Sequence, residues 1–288
     1  MKYPALFNAT DNKSIAIKRQ YFRALSIYLV LLVLISVAYL FYNGTEWVSV
    51  IIAVMFGISL VFIILIANKH FDKKWYIYRA IAESVKTMTW RFIMKAEPYN
   101  SDFNNSKDQL LEDFQNMVKS NSDKLDKLPT EYIDQDQITA SMVEIRNMSL
   151  HDRIDFYRSF RIEDQRNWYL EKSIVNQNKS KQWLFFVISL NVIALLLALS
   201  RIWFLKMQFY PVKIFAVGAS VCLTWFQANR FSELSTSYSF AALEIGLIME
   251  KSNNIDTEKE FSDFVGDVEN AFSREHTTWA ARRDVRNP

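Results

Sequence analysis

Four stretches of this sequence carry no charged residue: Ala24–Tyr42, Trp47–Ala67, Gln182–Ser200 and Ile214–Gln227. A helix needs about 20 apolar residues to cross the hydrocarbon core of a bilayer. The first three runs meet that length. The fourth meets it by extending back to Phe209, with Lys213 reaching the interface along its own apolar stem. The first two are apolar on every face, unlike the one-sided stripe of a helix on a soluble core. The sequence therefore predicts an all-α, four-span membrane protein. Composition agrees: 5 glycines and 5 prolines in 288 residues argue against turn-rich β architectures and glycine-rich phosphate cradles. Half the residues are hydrophobic, yet mean hydropathy is only −0.03, so very apolar and very polar stretches alternate.

The apolar runs come in pairs. Asn43-Gly44-Thr45-Glu46 joins the first pair as a tight helical-hairpin turn, and a longer loop from about Arg201 to Lys213, containing Pro211, joins the second. A cleaved signal peptide does not fit, because the first run is long, follows a polar lead and lacks a small-residue cleavage pattern. Lys13, Lys18, Arg19 and Arg23 precede the first run, and Lys69, Lys73, Lys74 and Arg79 follow the second. The positive-inside rule then places both ends of the first hairpin in the cytoplasm. Arg201, Lys206 and Lys213 oppose that rule in the second hairpin. Its outer loop is nonetheless assigned outside, so that the middle region with Lys172, Lys179 and Lys181, together with Arg230, lies in the cytosol. The domain reading is a first hairpin domain over 1–105, a helical linker over 106–150 and a second hairpin domain over 151–288. Both termini are cytoplasmic in this reading.

Outside the membrane the pattern is helical and amphipathic. No proline interrupts the chain from Trp47 to about Ala96, so one helix of about 75 Å is expected there. Trp75, Tyr78, Ala82, Val85, Thr89 and Phe92 form a 3-4-3-4-3 seam for packing along a neighbour. Phe231, Leu234, Tyr238, Ala241, Ile245 and Ile248 repeat that spacing after the fourth run. Asn100–Ser106 reads as a polar turn and Asp123–Thr130 as a charged break. Short helices are expected over Gln109–Val118 and Asp134–Met148. A long helix from about Asp152 should carry Ile154, Tyr157, Arg161, Gln165 and Trp168 on one face. A final helix should start at Thr257-Glu258-Lys259-Glu260, which fits a capping box. Its apolar stripe is Phe261, Phe264, Val265, Val268, Phe272 and Trp279. The layout of lead helix, apolar pair and amphipathic helix occurs twice, as in parallel membrane repeats.

Chemistry is sparse. His70, His151 and His276 form no metal-pair spacing, and neither a phosphate loop nor a nucleophile elbow is present. Catalysis, cofactors and metals are therefore not expected. Glu275-His276 admits an acid–base reading, but a hydrogen bond at an inter-helix contact below Trp279 is the simpler one. The single cysteine, Cys222, fits an inert buried thiol. Lys+Arg 34 against Asp+Glu 31 does not advertise a nucleic-acid partner. Arg79 and Glu83 are four apart and suit a helix-surface ion pair, with orientation of neighbouring subunits as the functional alternative. Arg161 and Asp164, three apart, invite the same reading. Trp75, Trp90, Trp168 and Trp279 read as core or interface anchors, with ligand stacking as the alternative. Within the apolar runs Ser36, Ser59, Ser220 and above all Asn191 are the polar candidates, either for inter-helix hydrogen bonds or for lining a conduit.

Three stretches stand out: Trp75-Tyr76-Ile77-Tyr78-Arg79-Ala80-Ile81-Ala82-Glu83 with Lys86 and Trp90; Arg161-Ile162-Glu163-Asp164-Gln165 with Trp168-Tyr169 and Lys172; and Phe264-Val265 with Glu269, Glu275-His276-Thr277-Thr278-Trp279 and Arg282-Arg283. In their order around the two apolar pairs they resemble the SLATT superfamily, two-helix membrane effector domains of bacterial conflict systems, in a tandem pair. The resemblance implies a homo-oligomerising effector that permeabilises the bacterial inner membrane, by a pore or by disrupting lipid, in an antiphage response. It further implies a nucleotide-signal synthase or a sensor as partner. The alternative is a membrane-anchored helical scaffold without pore activity.

Overall fold

A computed structural model of the chain describes residues 1–42, 44–125, 132, 134–200, 202–203, 210–251 and 255–284, with 273–284 as helix backbone only. The described residues are helical, without strands. The helices are α1 (Ala5–Leu40), α2 (Glu46–Lys69), α3 (Phe71–Ile93), α4 (Phe103–Ser120), α5 (Ala140–Arg146), α6 (Leu150–Tyr157), α7 (Asp164–Ser200), α8 (Val212–Asn229), α9 (Phe231–Lys251) and α10 (Glu258–Asp284). A π-turn, Arg158–Glu163, joins α6 to α7 without a break.

Among the described residues, three helical stretches are long and apolar enough to cross a membrane: Ala5–Leu40, Glu46–Ile93 and Leu150–Ser200. Only 17, 11 and 6% of their most apolar 18-residue windows are buried. Isoleucine, leucine and phenylalanine side chains left open over such lengths have no stable place in water. The apolar parts of these stretches are membrane segments, and the chain is a membrane protein. α8 has 18 residues, about 27 Å at 1.5 Å per residue.

The chain divides into two compact units. One contains 20–70 and 169–239, and holds most of the apolar helices. There α1 gives way to α2 through Phe41–Thr45, where Gly44 takes φ 89°, a left-handed conformation that suits glycine. Residue 43 of that turn lies outside the described residues, as do 201 and 204–209 of the second connection.

The other unit contains 1–19, 71–168 and 240–288. Its centre is α3, whose seam residues Tyr78, Ala82, Val85, Thr89 and Phe92 are fully buried. α10 packs along α3 with Phe261, Val265, Val268 and Phe272, and α4 and α5 pack on it as well. Each such side chain contributes about 1.5–3 kcal/mol by leaving water. The capping box of α10 forms as its sequence implies. The Glu260 N–H donates to Thr257 Oγ1 at 3.2 Å, and the Thr257 N–H donates to Glu260 Oε2 at 3.0 Å. A bond from the Asp256 N–H at 3.1 Å, and then those from Thr257, hold the Glu260 carboxyl below its ordinary pKa. The first turn of α1 is satisfied from far along the chain: the Ala5 N–H reaches the Asp136 carbonyl at 3.1 Å and the Leu6 N–H reaches Gln137 Oε1 at 3.0 Å.

Four sequence expectations change. The single helix over Trp47–Ala96 is two helices, because His70 between α2 and α3 is left-handed (φ 44°). α4 begins at Phe103, inside the stretch read as a turn, since the Asp102 carboxylate accepts the Asn105 N–H and caps it. The helix expected over Asp134–Met148 shrinks to Ala140–Arg146, because the Thr139 side chain caps it by accepting from the Met142 N–H. Of the charged break at 123–130, residues 126–130 lie outside the described residues. The fourth change is in the face leading into α7. The π-turn lengthens its path by a residue and rotates the residues beyond it, so Tyr169 is buried in place of Trp168, which is 38% exposed.

A left-handed residue that is not glycine costs about 1–2 kcal/mol. His70→Gly is expected to leave stability unchanged or raise it by up to about 1 kcal/mol, whereas β-branched His70→Val lowers it. Thermal unfolding of the purified protein in detergent measures the difference.

Candidate functional site

In the unit of apolar helices, aromatic residues are layered. The Trp225 ring meets Phe22 edge-on at 5.6 Å and Trp183 at 6.3 Å. The start of the first apolar run, the start of the third and the end of the fourth thus lie side by side. Arg23, Lys179, Lys181 and Arg230 flank these three points in sequence. At the other end the Tyr210 hydroxyl donates to the Leu197 carbonyl at 2.6 Å. Trp47 (80%) and Trp203 (73%) are open there. Aromatic rings at both ends of apolar helices are what a membrane–water interface selects.

The polar candidates within the apolar runs each bond inside their own helix. The Ser36 hydroxyl donates to Val33 O, Ser59 to Phe56 O and Ser220 to Ala216 O. The Asn191 amide donates to Val187 O at 2.8 Å. The inter-helix bond expected of Asn191 is therefore not among these, and its side chain lies exposed on α7. Back-bonding to the i−3 or i−4 carbonyl is how a polar residue makes itself tolerable on an apolar helix.

The second feature is an ionic core inside the other unit. Arg161, on the π-turn, is 3% exposed and Glu269 of α10 is 0% exposed. Arg161 Nε donates to Glu269 Oε1 at 2.7 Å and its Nη2 to Oε2 at 2.6 Å, a bidentate pair. The Tyr157 hydroxyl donates to the same Oε1 at 3.0 Å. The guanidinium also lies over the Trp90 ring (5.6 Å) and the Phe272 ring (4.6 Å). Trp90 Nε1 donates to the Tyr3 hydroxyl at 3.1 Å. Burial works against the Arg161 charge, yet the Glu269 carboxylate more than offsets it and raises the pKa. Burial and the same carboxylate push Tyr157 well up, so it stays protonated as a donor.

Two further buried arginines close the C-terminal end of α3. Arg146 donates to the carbonyls of Phe92, Tyr99 and Ser101 and to Ser106 Oγ. Burial, then Arg153, lowers its pKa to about 10. Arg153 donates to the Met94 carbonyl at 2.7 Å and pairs with Glu258 at the start of α10. Helix-end carbonyls have no intrahelical partner, and these guanidinium groups supply one away from water.

Of the family-like residues, Trp90 and Arg161 come together around Glu269, where Tyr157 joins them. Arg79 pairs with Glu83 one turn on, as their spacing implies, and also donates to Asp11 at 2.8 Å. Trp75 stacks on Tyr76 and receives Lys18 over its ring at 4.7 Å. Asp164 does not take Arg161, which turns inward to Glu269 and leaves Asp164 exposed. Gln165 is half-buried, and Tyr169 meets Tyr238 at 5.5 Å. Glu275, His276 and Trp279 lie on the α10 backbone, and their side chains are outside the described residues. Sequence reasoning gave no role to Arg146, Arg153 or Glu269. The signal was available: three arginines at spacings of seven and eight along one helical region, and an acid four residues beyond Val265 on an apolar stripe.

Fold and sites define a helical membrane protein with open apolar helices in one unit and a compact, polar-locked bundle in the other. Residues 4–154 match the family described as SMODS and SLOG-associating 2TM effector domain 3, and residues 157–279 match SMODS and SLOG-associating 2TM effector domain 1. The chain belongs to the SLATT family and carries two of its domains in tandem. No curated protein and no solved structure matches it.

Removing one partner of a buried ion pair strands the other charge. Glu269→Ala is expected to destabilise the protein by about 3–5 kcal/mol, and Arg161→Met with Glu269→Leu by clearly less than either single change. Denaturant melts of Glu269→Ala, Arg161→Met and the double variant decide this. Lys86 titrates in the opposite direction from a paired cation: burial, then Arg161, lowers its pKa. The unfolded chain then holds that proton more tightly, so this group's contribution to stability rises as pH climbs through the lowered value toward 10.5. Lys86→Met flattens that rise in melts taken across alkaline pH.

Proposed function

We propose that this protein is a four-span effector of the bacterial inner membrane, built as two helical hairpins. It self-associates to permeabilise the bilayer during a conflict or antiphage response. The single observation that carries this reading is the openness of the apolar helices, at most 17% buried in their most apolar windows, in a chain made of two 2TM effector domains. The Phe22–Trp225–Trp183 cluster supports the topology, because it sets the start of α1's apolar part, the apolar start within α7 and the end of α8 at one level. With the adjacent cations, that level is the cytoplasmic interface, and both termini and the middle region lie on its inner side. α8 is the fourth span, completed toward Phe209.

The activity is non-enzymatic and needs no cofactor. The trigger arrives through the soluble bundle, from a nucleotide-signal synthase or a sensor protein. In the second reading the bundle is a membrane-anchored scaffold and the helices only localise it. The locked ionic core favours neither alone.

Expression of the intact chain in bacteria, with a membrane-potential dye and fractionation, separates the two. Membrane-inserted protein that depolarises cells before growth stops is expected. Inserted protein that leaves the potential intact, even with its genomic neighbours co-expressed, sinks the effector reading and leaves the scaffold.

A further inference from the structure

Asn191 stands at the midpoint of the charge-free run Gln182–Ser200 and is exposed on α7. Its amide spends one donor on the Val187 carbonyl at 2.8 Å. A primary amide has two donors and two acceptor lone pairs. At the centre of the hydrocarbon there is no water for the rest, and each unmet group is costly. The residues around it are arranged in a seam. Leu184 (48% exposed), Ile188 (54%), Asn191 and Leu195 (58%) succeed one another at spacings of 4, 3 and 4, and Ala198 continues the pattern. A neighbouring face of α7 packs within the chain: a Cβ placed on Gly218 of α8 would lie 3.7 Å from Leu190.

Heptad spacing with one polar residue is the signature of a helix seam whose register is fixed by that residue. Copies inserted with one topology are parallel. A two-fold axis along the membrane normal then sets residue 191 opposite itself. An amide is its own complement, since each can donate to the other's carbonyl oxygen. We infer that the Leu184–Ile188–Asn191–Leu195 seam of α7 is the contact between two copies of this chain, with a reciprocal Asn191–Asn191 hydrogen bond at mid-membrane. The inference rests on the self-association in the proposed function and names its surface.

The test uses the full chain in native membranes, with Cys222→Ser to remove the only cysteine. Single cysteines are placed at Ile188→Cys and Leu195→Cys on the seam, and at Leu196→Cys beside it, which is equally exposed (59%) but about 100° further round the helix. Under an oxidant the two seam positions are expected to give disulfide dimers and Leu196→Cys about fivefold fewer. Adding Asn191→Leu to Leu195→Cys should reduce the dimer about fivefold, the scale of a mid-membrane amide bond, while Asn191→Gln keeps it. Equal yields at 195 and 196, or a yield indifferent to Asn191→Leu, overturn the inference. Depolarisation read in the same cells keeps the two claims apart. Cells that depolarise without a seam cross-link remove this interface and leave the effector reading intact. Protein recovered outside the membrane overturns both.

Discussion

A guanidinium with almost none of its surface in water has to be matched by a carboxylate, and in this molecule Arg161 is matched by Glu269. The pair is more than a contact between two side chains. Arg161 sits in the π-turn that leads into α7, and Glu269 sits on α10, which packs along α3. Tyr157, Trp90 and Phe272 close around them. A buried pair of this kind gains little over a well-packed apolar substitute but tolerates no loss of one member. It therefore fixes which residues of three helices meet more than it deepens stability. Arg146 and Arg153 extend the same logic to the end of α3. Their partners there are main-chain carbonyls, which no apolar side chain could satisfy.

Much of the fold was legible because membrane and bundle helices leave strong periodic signals. The charge-free runs located the apolar helices, the 3-4 spacing from Tyr78 to Phe92 located the buried face of α3, and Thr257 with Glu260 located the start of α10. Two kinds of local backbone event hid the rest. His70 has no residue type that announces a left-handed break, so α2 and α3 read as one helix. The π-turn has no compositional mark either, and a constant 3.6-residue period carried past it names Trp168 in place of Tyr169. The ionic core escaped for a different reason. Charged residues on a predicted helix are first assigned to its solvent face or to a near neighbour, as Arg161 was to Asp164. Its true partner lies more than a hundred residues away in sequence.

Similarity between the halves is clearer in the structure than in the residues. α2 ends in left-handed His70, with buried Phe71 next to it, and α8 ends in left-handed Arg230, with buried Phe231 next to it. Asn68 and Asn229 stand in the last turn of each helix or at its end. Two effector domains of one family thus keep the same joint between an apolar helix and the amphipathic helix after it. An arrangement that survives such divergence in its surroundings, at the cost of a strained backbone, is one the architecture uses twice for the same purpose.

The π-turn also sets a phase. From Leu150 to Ser200 the chain is helical without a break. Lengthening or shortening its wide turn by a single residue shifts the helical phase beyond it by about 100°. A stripe counted along α6 is therefore out of step by one position once it enters α7, and the burial of Tyr169 in place of Trp168 is the mark of that step.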